Sequence, residues 1–278
     1  MAKSALLKSS IAKKYWMALT GLFLCLFLVG HLIGNLQLIY GTPLQFNQYA
    51  LFMTTNPAVK ALSYVTYFSI LFHAIDGILL TIQNRKARPI KYAKNNAAAN
   101  TIWASRNMAV LGTLILVFIV THMTNFWAKM HFDENMPIQK ITISANEDVP
   151  QDFYLTTDGG YIPVAQVEHG IIEIKNRTEF YDSQAQVKIK EGYKDLYKIT
   201  VEFFKDKQYG LVYTLLYVVS MIVLGFHLYH GFGSAFQSLG ANNPKYNLLI
   251  KNFGKAFAII VPLLFAIIPL YIHFILKA

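Results

Sequence analysis

The chain has 278 residues, 54% of them hydrophobic and only 14% charged, with a formal net charge of +10. Fourteen of its fifteen acidic residues lie between Asp133 and Asp206, and Asp76 is the other. A soluble domain spreads its charge over its whole surface, so this segregation describes an all-α membrane protein with one hydrophilic insert; membrane topology accounts for the basic excess, and no nucleic acid is needed.

Five segments are apolar over the ~20 residues that a spanning helix needs: Tyr15–Tyr40, Pro57–Gln83, Ile102–Ala128, Tyr209–Phe236 and Ala256–Leu276. The first is too long for a signal peptide and is followed by no small-residue cleavage site, so it is expected to be a retained helix. The organisation is therefore helices 1–3 over residues 1–128, an extramembrane insert over 129–208, and helices 4–5 over 209–278.

Basic residues set the orientation. Lys3, Lys8, Lys13 and Lys14 precede the first span; Arg85, Lys86, Arg88, Lys91, Lys94 and Arg106 fill the second loop; Lys245, Lys251 and Lys255 fill the fourth. The first loop, Gly41 to Asn56, carries no charge. The positive-inside rule puts the N-terminus in the cytoplasm, and the insert and C-terminus outside.

The insert contains runs of alternating apolar and polar residues at Ile138–Ser144, Tyr161–Val167, Gly170–Lys175, Ala185–Lys190 and Tyr197–Phe204. Asp158-Gly159-Gly160 and Glu191-Gly192 punctuate them, so a small β-rich unit is expected.

Four histidines fall in four different spans: His31, His73, His122 and His227. An imidazole inside a bilayer is costly and usually functional, and paired imidazoles hold haem iron. His31 lies nine residues before Tyr40 and His122 seven before Lys129, each about 10–14 Å from the outer end of its helix. His73 lies sixteen residues after Pro57 and His227 eighteen after Tyr209, each about 24–27 Å from that end. The depths define an outer pair and an inner pair, as two stacked haems require. A single intramembrane histidine is equally well explained by a hydrogen bond to a neighbouring helix, but four matched in depth favour ligation. His230, three residues from His227, is its rival. His273 has no depth partner and is expected to be interfacial, and His131 and His169 to be solvated. The sole cysteine, Cys25, excludes a Cys-x-x-Cys-His attachment site, so any haem is non-covalent.

Gly34, Gly77 and Gly231 follow His31, His73 and His227 by three or four positions, on the same helix faces, where a flat porphyrin needs small side chains. Asp76, the one intramembrane acid, reads equally as a proton or quinone residue and as a carboxylate neutralised by protonation or by Arg85 and Lys86. Lys13, Lys14 and Arg106 are placed to meet haem propionates; anchoring explains the two lysines better. Tyr15, Trp16, Trp103 and Trp127 read as an aromatic belt.

Four segments carry a family resemblance: Gly30-His31-Leu32-Ile33-Gly34-Asn35, Phe72-His73-Ala74-Ile75-Asp76-Gly77, Val120-Thr121-His122 and Phe226-His227-Leu228-Tyr229-His230-Gly231. With one ligand histidine in each of the first four spans, the chain resembles the cytochrome b membrane-anchor subunit of succinate dehydrogenase/fumarate reductase, in its five-helix, dihaem, single-polypeptide form. The resemblance covers the five spans and excludes the insert. It implies that His73 and His227 ligate a proximal haem b and His31 and His122 a distal one, and Gly231, four residues after His227, favours His227 over His230. It further implies a bacterial cytoplasmic-membrane electron conduit between a flavoprotein subunit carrying FAD, an iron–sulfur subunit and a quinone, commonly menaquinone, with no succinate chemistry on this chain.

Two departures favour succinate oxidation over coupled fumarate reduction. Gly225 stands where the fumarate-reductase branch has a glutamate, and the uncharged first loop lacks that branch's quinone-site glutamate. Another dihaem quinone cytochrome, of a formate dehydrogenase or hydrogenase, is the nearest alternative; a histidine-lined transporter or assembly protein is the more distant one.

Overall fold

The computed structural model describes residues 9–87, 89–90, 96, 99, 101–144 and 149–277. Lys3, Lys8, Arg88, Lys91 and Lys94 lie outside the described residues. Among those described, five helical stretches are long and apolar enough to cross a membrane: Ile11–Tyr40, Pro57–Lys86, Met108–Phe132, Gly210–Ser238 and Pro244–Phe274. Their outward faces are apolar, as at Leu26, Val117 and Leu263, which suits a bundle in lipid, where apolar side chains stay exposed and backbone groups pair within each helix.

Helix α1 (Ser10–Tyr40) ends at Gly41, and the uncharged first loop is itself a helix, α2 (Pro43–Thr55), where a loop was expected. Thr42 explains it. Its hydroxyl accepts from the Gln45 N–H while the Gln45 side chain accepts from the Thr42 N–H, a capping box with Pro43 preset at the first helical position. Asn56 then caps α3 (Pro57–Lys86), its side chain accepting from the N–H groups of Ala58 and Val59.

The third span is preceded by the single turn α4 (Trp103–Arg106). It begins as α5 (Met108–His122), widens into a π turn over Met123–Ala128 and closes as α6 (Lys129–Phe132). The π turn starts at the residue after His122, and such local widenings are frequent at functional positions.

The insert holds two three-stranded antiparallel sheets. The first is β1 (Lys140–Ile143), β2 (Gln151–Leu155) and β3 (Tyr161–Pro163); the second is β4 (Ile172–Lys175), β5 (Glu179–Asp182) and β6 (Lys188–Glu191). The five-residue helix α7 (Val164–Glu168) joins them. Ile138, Tyr154, Ile162, Val164, Ile172 and Phe180 form their shared core, with Phe180 fully buried. Asp158-Gly159-Gly160 turns the chain between β2 and β3 as expected, Gly159 taking the positive φ of 83°.

Three expectations for the insert need correction. Tyr161–Val167 is strand only to Pro163, after which the chain enters α7. Tyr197–Phe204 is not a strand but lies within helix α8 (Leu196–Phe204), because the Asp195 carboxylate caps the Lys198 N–H and Leu196, Thr200 and Phe204 recur at helical spacing. Strands β2 and β5 fall in none of the anticipated runs.

The fourth span is α9 (Gly210–Ser238) and the fifth α10 (Pro244–Phe274), which starts earlier than expected. They approach closely because Gly225 faces the Ala258 carbonyl, 3.1 Å from where a β-carbon would stand. A glutamate at position 225 would meet the backbone of α10.

The insert is tied to the bundle through α2. Asn47, 1% exposed, donates to the Gln139 and Asp195 side chains at 3.1 and 2.9 Å and accepts from the Tyr197 N–H at 2.9 Å. It docks at the end of the bundle where α1 stops and α3 begins.

Candidate functional site

The bundle brings His31, His73, His122 and His227 into two facing pairs. His31 on α1 and His122 at the end of α5 have ring centroids 5.8 Å apart, with planes at 89°. His73 on α3 and His227 on α9 have centroids 6.1 Å apart, with planes at 68°. The first pair lies towards the insert. The second lies towards the opposite, lysine-rich end, where His73 meets Met17, Thr20 and Gly21 of α1. His31 is ten residues beyond Gly21, so the two layers are about 15 Å apart along the axis.

Each ring is held differently. His73 Nδ1 lies 3.1 Å from the Met17 carbonyl and 3.4 Å from the Thr20 hydroxyl. A carbonyl only accepts, so Nδ1 carries the proton and the lone pair sits on Nε2. His122 Nδ1 faces the Tyr217 hydroxyl at 3.4 Å. Asn35 Nδ2 donates to the His31 carbonyl at 2.8 Å and stands 3.4 Å from both of that ring's nitrogens. His227 Nδ1 is buried with no hydrogen-bond partner among the described residues. Aromatic rings wall the insert-side pair: Phe27 and Phe265 against His31, and Phe118 and Phe126 against His122.

A metal ion between two imidazoles, with metal–nitrogen bonds of about 2.0–2.1 Å, puts ring centroids roughly 6 Å apart. Both pairs meet that spacing. Among the described residues, no group of three or more His, Cys, Asp or Glu side chains converges to hold a bare metal ion. Two opposed imidazoles without a third protein donor suit an iron whose other ligands come from a macrocycle. The donor set and the spacing fit haem.

The expected glycines divide. Among the described residues, Gly77 is open, with nothing within 4 Å of where a β-carbon would stand, and Gly231 would meet only Met108 Cε at 4.0 Å. Gly34 is instead covered by Tyr49 of α2, whose Cε1 would stand 2.4 Å from a β-carbon there, so its small size serves the docking of α2. Two glycines not foreseen face the inner rings. A β-carbon at Gly21 would stand 3.1 Å from His73 Cε1, and one at Gly112 3.8 Å from His227 Cε1. The depth count that paired the histidines would have found both.

Asp76 is half-buried, and among the described residues the lysine whose charge acts on it is Lys13 of α1 rather than Arg85 or Lys86. Arg106 ends α4 and donates to the Thr101 carbonyl. Trp103 packs edge-on against Phe226, next to His227, which sets this turn at the inner pair's end. His230 is half-buried and has no ring partner among the described residues. His131 is half-buried. It stacks on Trp127 at 4.6 Å, with Nδ1 2.8 Å from the Trp127 carbonyl. His169 is exposed, and His273 Nδ1 donates to the Phe204 carbonyl at 2.7 Å, tying α10 to α8. A polar cleft of about 910 Å³ in the insert, lined by Glu134, Arg177, Asp195 and Lys198 among others, includes none of the histidines.

No protein-family profile, curated protein or solved structure matches the chain.

Proposed function

We propose that this chain is the dihaem cytochrome b subunit of a succinate:quinone oxidoreductase, anchoring a flavoprotein and an iron–sulfur subunit to a bacterial cytoplasmic membrane and linking them to menaquinone or another quinone. The observation that carries the reading is the facing of His31 with His122 and of His73 with His227, each pair drawn from two separate spans. In this reading His73 and His227 hold the proximal haem b, and His31 and His122 the distal one. When bound, the two haems supply one-electron exchange at iron.

The chain's own residues do the rest. The Met17 carbonyl fixes the His73 tautomer, so that Nε2 is the ligating atom and the ring is more basic. Gly21 and Gly112 leave room beside the inner rings, and Phe27, Phe118, Phe126 and Phe265 keep water from the outer pair. Lys13, Lys14, Lys86 and Arg106 form a basic face suited to docking an acidic partner surface, and Lys13 offsets the charge of Asp76. Gly225, pressed against α10, places no carboxylate at that position of the fourth span, which favours succinate oxidation without a coupled proton.

The test is gentle purification from the native membrane. An FAD-bearing subunit and an iron–sulfur subunit should accompany the chain, and succinate should reduce its b-type absorption. Co-purification with a molybdenum- or nickel-containing enzyme would move the chain to a formate dehydrogenase or hydrogenase, and a colourless protein would refute the cytochrome reading.

A further inference from the structure

We infer that Tyr217 is a positioning residue for His122, and that the insert holds it in place through Phe203 and Phe204 of α8. The inference rests on the haem reading above. If His122 ligates iron through Nε2, its Nδ1 carries the proton, and the Tyr217 hydroxyl oxygen 3.4 Å away must be the acceptor. An acceptor on the distal nitrogen of a ligating imidazole raises its basicity and fixes the ring plane.

The ring of Tyr217 is enclosed. Phe118 lies edge-on at 5.0 Å, Phe204 edge-on at 5.0 Å and Phe203 at 5.9 Å. Two of these three come from the insert, not from the bundle. Phe203 is also stacked flat on Tyr213, with centroids 4.4 Å apart and planes at 7°, and Phe204 is 3% exposed. The Phe204 carbonyl accepts from His273 of α10, so α8 is pinned on a second side. Asn47 fixes the start of the same helix through Asp195 and the Tyr197 N–H. A continuous chain of contacts thus runs from the insert to one imidazole of the outer pair, and the insert's role becomes the setting of that ligand.

The experiment is an optical redox titration of the purified complex, with haem counted in each variant. Wild type should show two haems of distinct midpoint potential. Tyr217→Phe should retain both and raise the potential of one only, because loss of the acceptor makes the imidazole a weaker donor to ferric iron. Phe204→Ala, which keeps the hydroxyl but frees the ring, should shift the same haem in the same direction by less. Two unshifted potentials in Tyr217→Phe, or an equal shift of both haems, would overturn the inference. Should Tyr217→Phe fail to assemble, the Phe204→Ala titration decides by the same criterion. Wild-type protein without haem would instead refute the haem reading itself.

Discussion

The imidazole of His73, in the middle of α3, has its Nδ1 3.1 Å from the backbone carbonyl of Met17, near the start of α1. That bond ties the inner ring to a backbone atom no substitution removes, and it brings Gly21 against the ring one turn further on. Across the bundle, His227 Nδ1 has no hydrogen-bond partner among the described residues. This pair therefore has one fixed and one unanchored ring, and the two should differ in their tolerance of change.

Gly21→Leu is expected to remove the inner haem and spare the outer one. Even a β-carbon there would stand 3.1 Å from His73 Cε1, and a larger side chain must displace the ring. Haem per polypeptide should fall from about two to about one, with Gly21→Ala intermediate, as measured by pyridine haemochrome against protein. Full haem content in the leucine variant would show that His73 is not a ligand.

His227→Ala should halve the haem content, whereas His230→Ala should leave it unchanged. Only His227 faces His73, at 6.1 Å. The reverse result would transfer the ligand to His230.

Asn47→Ala should loosen the insert. Asn47 is the shared partner of Gln139, Asp195 and the Tyr197 N–H, all buried or half-buried. Leaving such groups unpaired costs about 1–3 kcal/mol. Limited proteolysis should cut the insert faster in this variant, and unchanged cleavage would mean that other contacts hold it.

The Asp158 turn should weaken in acid. Hydrogen bonds from the Thr156 hydroxyl, the Lys190 ammonium and the Gly160 N–H hold the Asp158 carboxyl well below the usual carboxylate range. A depressed folded-state pKa stabilises above the unfolded value of about 3.9, and that contribution is lost as pH falls below it. Amide protection of the β2–β3 turn, corrected for intrinsic exchange, should decline below about pH 4 in wild type and stay flat in Asp158→Asn. The same decline in both would assign it elsewhere.

The five spans were legible because lipid imposes a length and an apolar composition that few other structures need. The facing of the histidines was legible for a related reason: in a bundle of near-parallel helices, depth along the sequence converts to height, so equal depths in neighbouring helices can meet. Which neighbours pack together is not in that count. Gly34 illustrates the gap, since its face is occupied by Tyr49 of a helix hidden in an uncharged loop. The capping signal Thr42-Pro43…Gln45 that announces α2 was present, but hydropathy alone passes over it. In the insert, Tyr197–Phe204 alternates as a strand would, yet its buried residues recur every four positions and Asp195 caps its start. A period judged over eight residues is ambiguous, and the cap decides it.

Haem stoichiometry of the purified wild-type chain, by pyridine haemochrome, reaches the central claim most directly. Close to two b haems per polypeptide are expected, one for each facing pair. No haem would contradict the claim, and a value near one would leave one of the two pairs, His31 with His122 first, as a purely structural contact.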